Sequence, residues 1–407
     1  MKKISALFLI FSAALVQAQN IKTEQLKKHI QFLADDKLKG RGTSSPEELI
    51  AAKYIADNFK NYGLQPKGNG SDYYYKFNFK KPKDPHDTVG GQLVSAMDVV
   101  GYLDTGAENT VVIGGHYDHL GTGMDHNSLD ANPEGKIHNG ADDNASGTAG
   151  VMELAHYFSQ NKTKEKFNFL FICFSGEELG LFGSKKFCEN PTVDFKKVNY
   201  MINMDMIGRL NDSTKKLIVY GVGTSADWVP MIDKMKTDFS IKKDSAGVGP
   251  SDQTSFYLKD IPVLHFFTGQ HSDYHKPSDD IEKINFEGEK NVLEYIIKII
   301  GETEKLPKMK FLKTRNTETG KGKYKVTMGV MPDYTFDGKG MRIDGVTDGK
   351  PASKAGLLRG DIVIKLGETN VENVMDYMKG LSSFNKGDTT DVKVIRDGKE
   401  IKLSVTF

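Results

Sequence analysis

Two histidines and a set of carboxylates lie where apolar runs of this chain break off into Gly-rich or polar loops. The segments are Val111-Val112-Ile113-Gly114-Gly115-His116-Tyr117-Asp118, His138-Asn139-Gly140-Ala141-Asp142-Asp143-Asn144, Phe174-Ser175-Gly176-Glu177-Glu178, Asn203-Met204-Asp205 and Tyr274-His275-Lys276-Pro277. Mixed nitrogen and oxygen ligands of this kind suit zinc. Two zinc ions about 4 Å apart need a bridging carboxylate to offset their mutual repulsion. Each ion then takes one histidine and one further carboxylate. The chain supplies that count, with His116 and His275, a bridging candidate in Asp143, and terminal candidates in Glu178 and Asp205. Glu177 and Glu178 are adjacent, so one can bind metal while the other handles protons. The combination points to metal-assisted hydrolysis.

Asp118 follows His116 by two residues, which puts both side chains on one face of an extended segment. Its carboxylate could accept the other ring N–H of His116 and hold the tautomer. Tyr274 could donate its hydroxyl to a developing oxyanion. Each signal also has a plain structural reading. Asp142, Asp143 and Asn144 could cap a helix, and Glu177 and Glu178 could be first-turn acids answering a helix dipole. His271 competes with His275 for one ligand role. Asp205 in its apolar context is harder to dismiss, because an unpaired buried charge is costly. What favours a site is that all of these signals share one frame.

That frame is a set of strand ends. Short β-branched or aromatic runs occur at 110–113, 168–174, 198–203, 216–220 and 262–267, with amphipathic helical stretches at 146–159 and 286–304 among them. Such an alternation predicts an α/β domain with a mixed, mostly parallel sheet flanked by helices. Ligands of such sheets bind beyond the carboxyl ends of the strands, and His116, Glu177-Glu178 and Asp205 each follow a strand run closely. Upstream, 21–64 reads as helical, with Gly40-Arg41-Gly42 between two helices. Ser45 is a cap, Pro46 fits the first helical position, and Glu48 completes a capping box.

A chain of 407 residues suggests two domains. The charge balance, 55 basic against 54 acidic residues, argues against nucleic acid or an anionic membrane as a bulk partner. Lys2-Lys3, the apolar stretch Leu7 to Val16 and the small residues before Gln19 read as a signal peptide over 1–18. That stretch falls far short of the roughly 20 residues a spanning helix needs, so no stable membrane anchor is expected. The mature chain is expected in the periplasm or outside the cell, where a disulfide is permitted. Cys173, however, sits inside an apolar run and reads as a buried free thiol. Residues 305–325 carry eight Lys/Arg and read as a basic linker. Residues 326–407 form a second, β-rich unit with strand runs at 326–330, 341–345, 362–366, 392–395 and 401–407, and short helices at 351–356 and 372–383.

Taken together in their order along the chain, the five motifs resemble those of the secreted two-zinc aminopeptidase family. They read Gly114 to His119, Asn139 to Gly147, Phe174 to Gly180, Asn203 to Gly208 and Asp273 to Asp279. The resemblance covers about 24–304 and gives the expected domain as 19–304. It implies two Zn2+, with His116 and Asp205 on one, Glu178 and His275 on the other, and Asp143 bridging. It also implies Glu177 as the general base acting on a water between the metals, Asp118 as an orienting acid, and Tyr274 supporting the oxyanion. Lys276-Pro277-Ser278-Asp279 after His275 favours it over His271. Gln253, in Ser251-Asp252-Gln253, departs from the histidine many relatives carry, and no long insertion suggests a protease-associated domain.

Gly345 to Leu357, followed by Arg359-Gly360-Asp361-Ile362-Val363, is similar to a bacterial PDZ domain, with Met328-Gly329-Val330-Met331 as the carboxylate-loop counterpart. The resemblance implies a peptide or protein ligand added as a strand. The expected function is removal of amino-terminal residues from peptides by an exported zinc aminopeptidase. The alternatives are a carboxypeptidase or dipeptidase with the same two-metal site, a glutaminyl-cyclase-like enzyme, and a non-catalytic binding protein.

Overall fold

The computed structural model describes residues 20–407 apart from 82–90, 162, 164, 315–325, 333–335, 337 and 348. The expected signal peptide and most of the basic linker therefore lie outside the described residues. Among the described residues, no helix is long and apolar enough to cross a membrane.

Nine strands form one sheet: β1 (Gln65–Pro66), β2 (Tyr74–Lys80), β3 (Leu93–Leu103), β4 (Asn109–His116), β5 (Phe167–Phe174), β6 (Val198–Met204), β7 (Lys216–Tyr220), β8 (Ser240–Lys243) and β9 (Val263–Phe267). Their order is β1-β3-β5-β4-β6-β9-β7-β8, with β2 also paired to β3. The central strands β5, β4, β6 and β9 are parallel, and the sheet turns antiparallel at β3 and again at β7. β5 and β6 are buried along their whole length. This is why they read as continuous apolar runs rather than as alternation.

Helices cover both faces. α1 (Thr23–Leu33), α2 (Pro46–Asn61), α3 (Gly147–Gln160) and α7 (Phe286–Thr303) share one apolar core with the sheet, including Leu26, Ile55, Leu154 and Ile296. α4 (Phe182–Glu189) and α6 (Gln253–Tyr257) bury Phe187 and Phe256 in a second core on the other face. α5 (Trp228–Lys234) places the buried Trp228 in the first core. Cys173 and Cys188 are both buried and free.

The start of α2 differs from the expected capping box. Ser45 Oγ accepts the Glu48 N–H at 3.0 Å as expected. The Glu48 carboxylate instead accepts from the Ser44 N–H at 2.6 Å and from the Ser175 hydroxyl at 2.5 Å. It thereby ties the helix to the loop that carries Glu177. Residues 305–314 also differ from a loose linker. Met309 is buried, Leu312 N–H donates to the Thr224 carbonyl, and Gly247 N–H donates to the Thr314 hydroxyl.

The carboxy-terminal unit has its own core around Met328, Ile343, Val363 and Val394. Its strands are β10 (Val330–Pro332), β11 (Met341–Val346), β12 (Ile362–Leu366), β13 (Thr369–Asn370), β14 (Thr389–Arg396) and β15 (Lys399–Thr406), with helices α8 (Pro351–Lys354) and α9 (Val374–Leu381). The sheet is antiparallel throughout, and among the described residues β10 is an edge strand. The first expected strand, at 326–330, begins instead at Val330. Asp361 accepts a two-pronged bond from Arg396 at 2.6 and 2.7 Å, linking the Gly360-Asp361 turn to β14.

Candidate metal centre

His116 is the last residue of β4, Asp205 follows β6, and Glu177 and Glu178 follow β5 by three and four residues. All three strands are parallel, so their carboxyl ends deliver these side chains to one edge. Asp143 comes from an irregular turn, Ala141–Ser146, just before α3. The helix-cap reading of this turn holds for Asn144, whose Oδ1 accepts the Gly147 N–H at 2.9 Å at the start of α3, and is corrected for Asp143, which has φ −105° and ψ 94° and turns its carboxylate to the histidines at the strand ends. Glu177 and Glu178 are not first-turn acids either, since α4 starts only at Phe182. Two glycines permit the close packing. A Cβ on Gly115 would sit 2.8 Å from the Met204 carbonyl oxygen, and one on Gly147 would sit 2.3 Å from it.

Asp143 faces both histidines. Its Oδ1 lies 3.3 Å from His116 Nε2 and its Oδ2 lies 3.2 Å from His275 Nε2. His116 Nε2 is also 3.4 Å from Asp205 Oδ1, and His275 Nε2 is 3.2 Å from Glu178 Oε2. Zinc bonds of about 2.0–2.1 Å in tetrahedral geometry separate neighbouring ligand atoms by about 3.3 Å. These four separations fit that spacing, and all five residues are mostly or wholly buried. The set therefore has the spacing of metal ligands, with Asp143 common to both of its histidine–carboxylate halves.

Both rings are aimed by main-chain carbonyls. His116 Nδ1 lies 3.1 Å from the Asp118 carbonyl and His275 Nδ1 lies 2.9 Å from that of Asn127. A donated Nδ1–H leaves each Nε2 lone pair facing the carboxylates. The expected partner of His116 was the Asp118 carboxylate, which lies 3.6 Å away, too far for a hydrogen bond. Asp118 does orient the site, but through another residue. Its Oδ1 accepts the Glu177 main-chain N–H at 3.2 Å and its Oδ2 accepts the Thr43 hydroxyl at 2.6 Å. Asp118→Asn keeps the shape but weakens both bonds. It should lower turnover about 10–100-fold with zinc content unchanged, as for other outer partners of metal ligands. Loss of zinc with retained turnover per bound metal would contradict this role.

His271 and His275 separate cleanly. His271 Nε2 pairs with Asp142 Oδ2 at 3.1 Å, away from the cluster. Asp142 Oδ1 accepts the Gly208 N–H at 2.7 Å. Asp279 Oδ2 accepts the N–H groups of Asp142 and Asp143, both at 3.0 Å, and so pins the turn that presents Asp143. Tyr274 stacks on His275, with ring centroids 3.9 Å apart, and lines the same cavity as the cluster.

The crowding of acids and histidines shifts the titrating groups. Burial alone would lower His116 and His275, but Asp205 and Glu177 around the first, and Glu178 and Asp143 around the second, raise both well above the ordinary histidine value. Burial pushes Glu178 up, yet His275 and His119 outweigh it and hold the acid at about 2. Glu177 moves the other way. Burial, Glu178, Asp205 and Asp252 raise it well above the usual range against the pull of His116.

Several residues of this site escaped the sequence reading. His119 Nδ1 lies 2.7 Å from Glu178 Oε1 and 3.9 Å from Asp143 Oδ2. With Asp143 and Glu178 it forms a second possible metal-holding group. The 2.7 Å contact, however, is a hydrogen-bond distance and shorter than a ligand–ligand edge. Arg41 is fully buried, and its guanidinium donates to the main-chain carbonyls of Leu33, Tyr117, Asn139 and Gly140. Burial lowers it to about 10 while Asp143 and Asp118 pull upward, so it stays charged at neutral pH. It is a fixed cation behind the acid cluster. Arg41→Ala would leave those carbonyls and acids uncompensated, at an expected cost of about 3–5 kcal/mol. Denaturant unfolding of the zinc-loaded protein measures this, and a midpoint unchanged from wild type would refute it.

A mixed sheet with a histidine–carboxylate cluster beyond the carboxyl ends of its parallel strands belongs to the zinc-exopeptidase type of α/β fold. Residues 98–300 match the model of peptidase family M28 and residues 315–407 that of a PDZ domain. The chain belongs to peptidase family M28 and carries a carboxy-terminal PDZ domain. It is 28% identical over 158 residues to aminopeptidase YwaD of Bacillus subtilis, a match covering 36% of this chain and 34% of that protein. The first curated relatives are matched over about a third to a half of their length, at 34%, 46% and 32%. The fold is shared with a zinc aminopeptidase from Bacillus subtilis, at TM-score 0.55 and 16% identity, covering 72% of this chain and 98% of that one. It is shared as well with a Bacteroides thetaiotaomicron glutaminyl cyclase, at TM-score 0.54 and 16% identity, covering 70% and 98%. The same backbone thus serves different chemistries, and the site has to decide between them.

Proposed function

We propose that this chain is an exported aminopeptidase that uses two zinc ions, with His116 and Asp205 on one, His275 and Glu178 on the other, and Asp143 between them. The observation that carries the reading is the bridge: each Asp143 oxygen faces a different histidine at 3.2–3.3 Å, and each histidine faces its own terminal carboxylate. Zinc supplies a Lewis acid that lowers the pKa of water and polarises a carbonyl.

The chain's own residues do the rest. Glu177, half-buried and more basic than an ordinary carboxylate, accepts a proton from the attacking water and passes it to the leaving amine. Asp118 and Thr43 fix its backbone. The acidic surroundings of Glu177 and Asp205 attract the free amino group of a peptide, which favours amino-terminal over carboxy-terminal residues. Tyr274, packed flat on His275, supports the oxyanion. The unmatched edge of β10 accepts a peptide segment as an added strand, the usual mode of a PDZ domain. Lys2-Lys3 and the apolar stretch after them support export.

Amino-terminally blocked and free peptides, each with and without a chelator, test the reading. Cleavage of free peptides only, abolished by chelator and restored by zinc, is expected. Cleavage of blocked peptides from the carboxyl end would favour a carboxypeptidase, and cyclisation of amino-terminal glutamine without hydrolysis would favour a cyclase.

A further inference from the structure

The cavity beside the cluster is lined by Met206, Pro250, Phe267, Gln270 and Tyr274, and by one buried histidine that the reaction does not use, His265. His265 lies on β9 opposite Asn203 of the neighbouring β6. Side chains alternate along a strand, so His265 shares a sheet face with Asn203 and with Asp205 two residues on. It therefore sits one step deeper than Asp205, at the floor of the cavity. The ring is only 2% exposed. It packs with Tyr220 on one side and with Phe267 on the other, at centroid distances of 5.4 and 6.4 Å.

A neighbour engages one nitrogen of the ring. The Asn203 side-chain N–H faces His265 Nδ1 at 3.2 Å, and Asn203 itself is held by the Ser251 hydroxyl at 2.9 Å and the Gln253 carbonyl oxygen at 3.4 Å. An Nδ1 that accepts leaves the proton on Nε2. Among the described residues, Nε2 has no hydrogen-bond partner. It is not a sealed atom but keeps access to the cavity that His265 lines, so a ligand acceptor can take the place of water there. The ligand group must be an acceptor, because an N–H cannot bond to an ammonium. Glu177 and Asp205 line the same cavity and would repel a carboxylate, so the acceptor is a neutral one.

We propose that His265 is a specificity-determining residue whose Nε2–H donates to the side-chain carbonyl of a glutamine or asparagine at the amino terminus of the substrate. This inference rests on the aminopeptidase reading above. Its test is a comparison of kcat/KM for Gln- and Met-4-nitroanilides, and for Asn and Leu, with zinc-loaded wild type and His265→Phe. Phenylalanine keeps a ring between Tyr220 and Phe267 but removes the donor. The Gln/Met and Asn/Leu ratios should fall about tenfold in the variant, the worth of one such bond. Because each ratio is internal to one protein, partial loss of folded enzyme does not disturb it. On wild type alone, a methyl ketone replacing the glutamine amide keeps the carbonyl and should keep the preference. Ratios unmoved by the substitution, a methyl ketone treated like Met, or a Lys preference lost in the variant would each overturn the inference while leaving the aminopeptidase intact. Failure to cleave any free-amino substrate would remove the aminopeptidase reading and this inference with it.

Discussion

Glu177→Gln is expected to lower kcat by about a hundred- to ten-thousand-fold, the usual worth of a general base, with zinc content and KM nearly unchanged. The argument starts from which acids the histidines engage. Asp143, Glu178 and Asp205 each stand 3.2–3.4 Å from a histidine Nε2. Among the described residues, no such pairing holds the Glu177 carboxylate, although it lines the same cavity. Its backbone is fixed by the Asp118 carboxylate. Its raised basicity makes it a better proton acceptor than a solvated glutamate. Glutamine keeps the shape and removes the basicity. Turnover is followed with a chromogenic aminoacyl substrate and metal by elemental analysis. Near-wild-type kcat with zinc bound would sink the assignment. Glu178→Gln offers the contrast, because it should lose metal together with activity.

The parts of this site legible in the sequence are those set by strand periodicity. β5 and β6 are buried on both faces, so their apolar runs ended visibly at Phe174 and Asn203, and the acids beyond them stood out. β3 was missed for the converse reason. It carries Asp98, whose carboxylate would normally argue against a strand, yet which is buried and accepts the Ser175 N–H at 2.9 Å. A partner 77 residues away pays for that position, and no local pattern reveals it. Arg41 was invisible in the same way. Its carbonyl partners come from residues 33, 117, 139 and 140. Its one sequence signal was a lone Arg between glycines in a loop. Asp118 shows the limit of spacing arguments. The two-residue offset placed it beside His116 correctly, but the atom that meets the ring is its carbonyl, which frees the carboxylate to hold Glu177. His275 was likewise not separable from His271 by spacing, because both lie in the same polar loop after β9.

Zinc and protons should compete for this site, with a sign that follows from the histidines. Without metal, the surrounding acids raise His116 and His275 well above the ordinary histidine value, after burial has pulled the other way. A group whose folded pKa is raised stabilises the fold fully below its unfolded pKa and loses that contribution as pH rises through the folded one. The metal-free protein should therefore be most stable on the acid side and weaken as the imidazoliums deprotonate and the carboxylates lose their counter-charge. Zinc requires the neutral rings, so each ion displaces about one proton and its apparent affinity falls about tenfold per pH unit below the histidine pKa. The stabilisation that zinc confers must grow with pH. Melting of zinc-loaded and chelated protein between about pH 6 and pH 8 measures this directly, and calorimetric titration in buffers of different ionisation enthalpy counts the protons. A zinc-induced shift in Tm that stays constant over that range would mean that the histidines are not the ligands. His271→Gln gives the control. Its ring pairs with Asp142 outside the cluster, so the pH dependence of zinc binding should survive that substitution and weaken in His275→Gln.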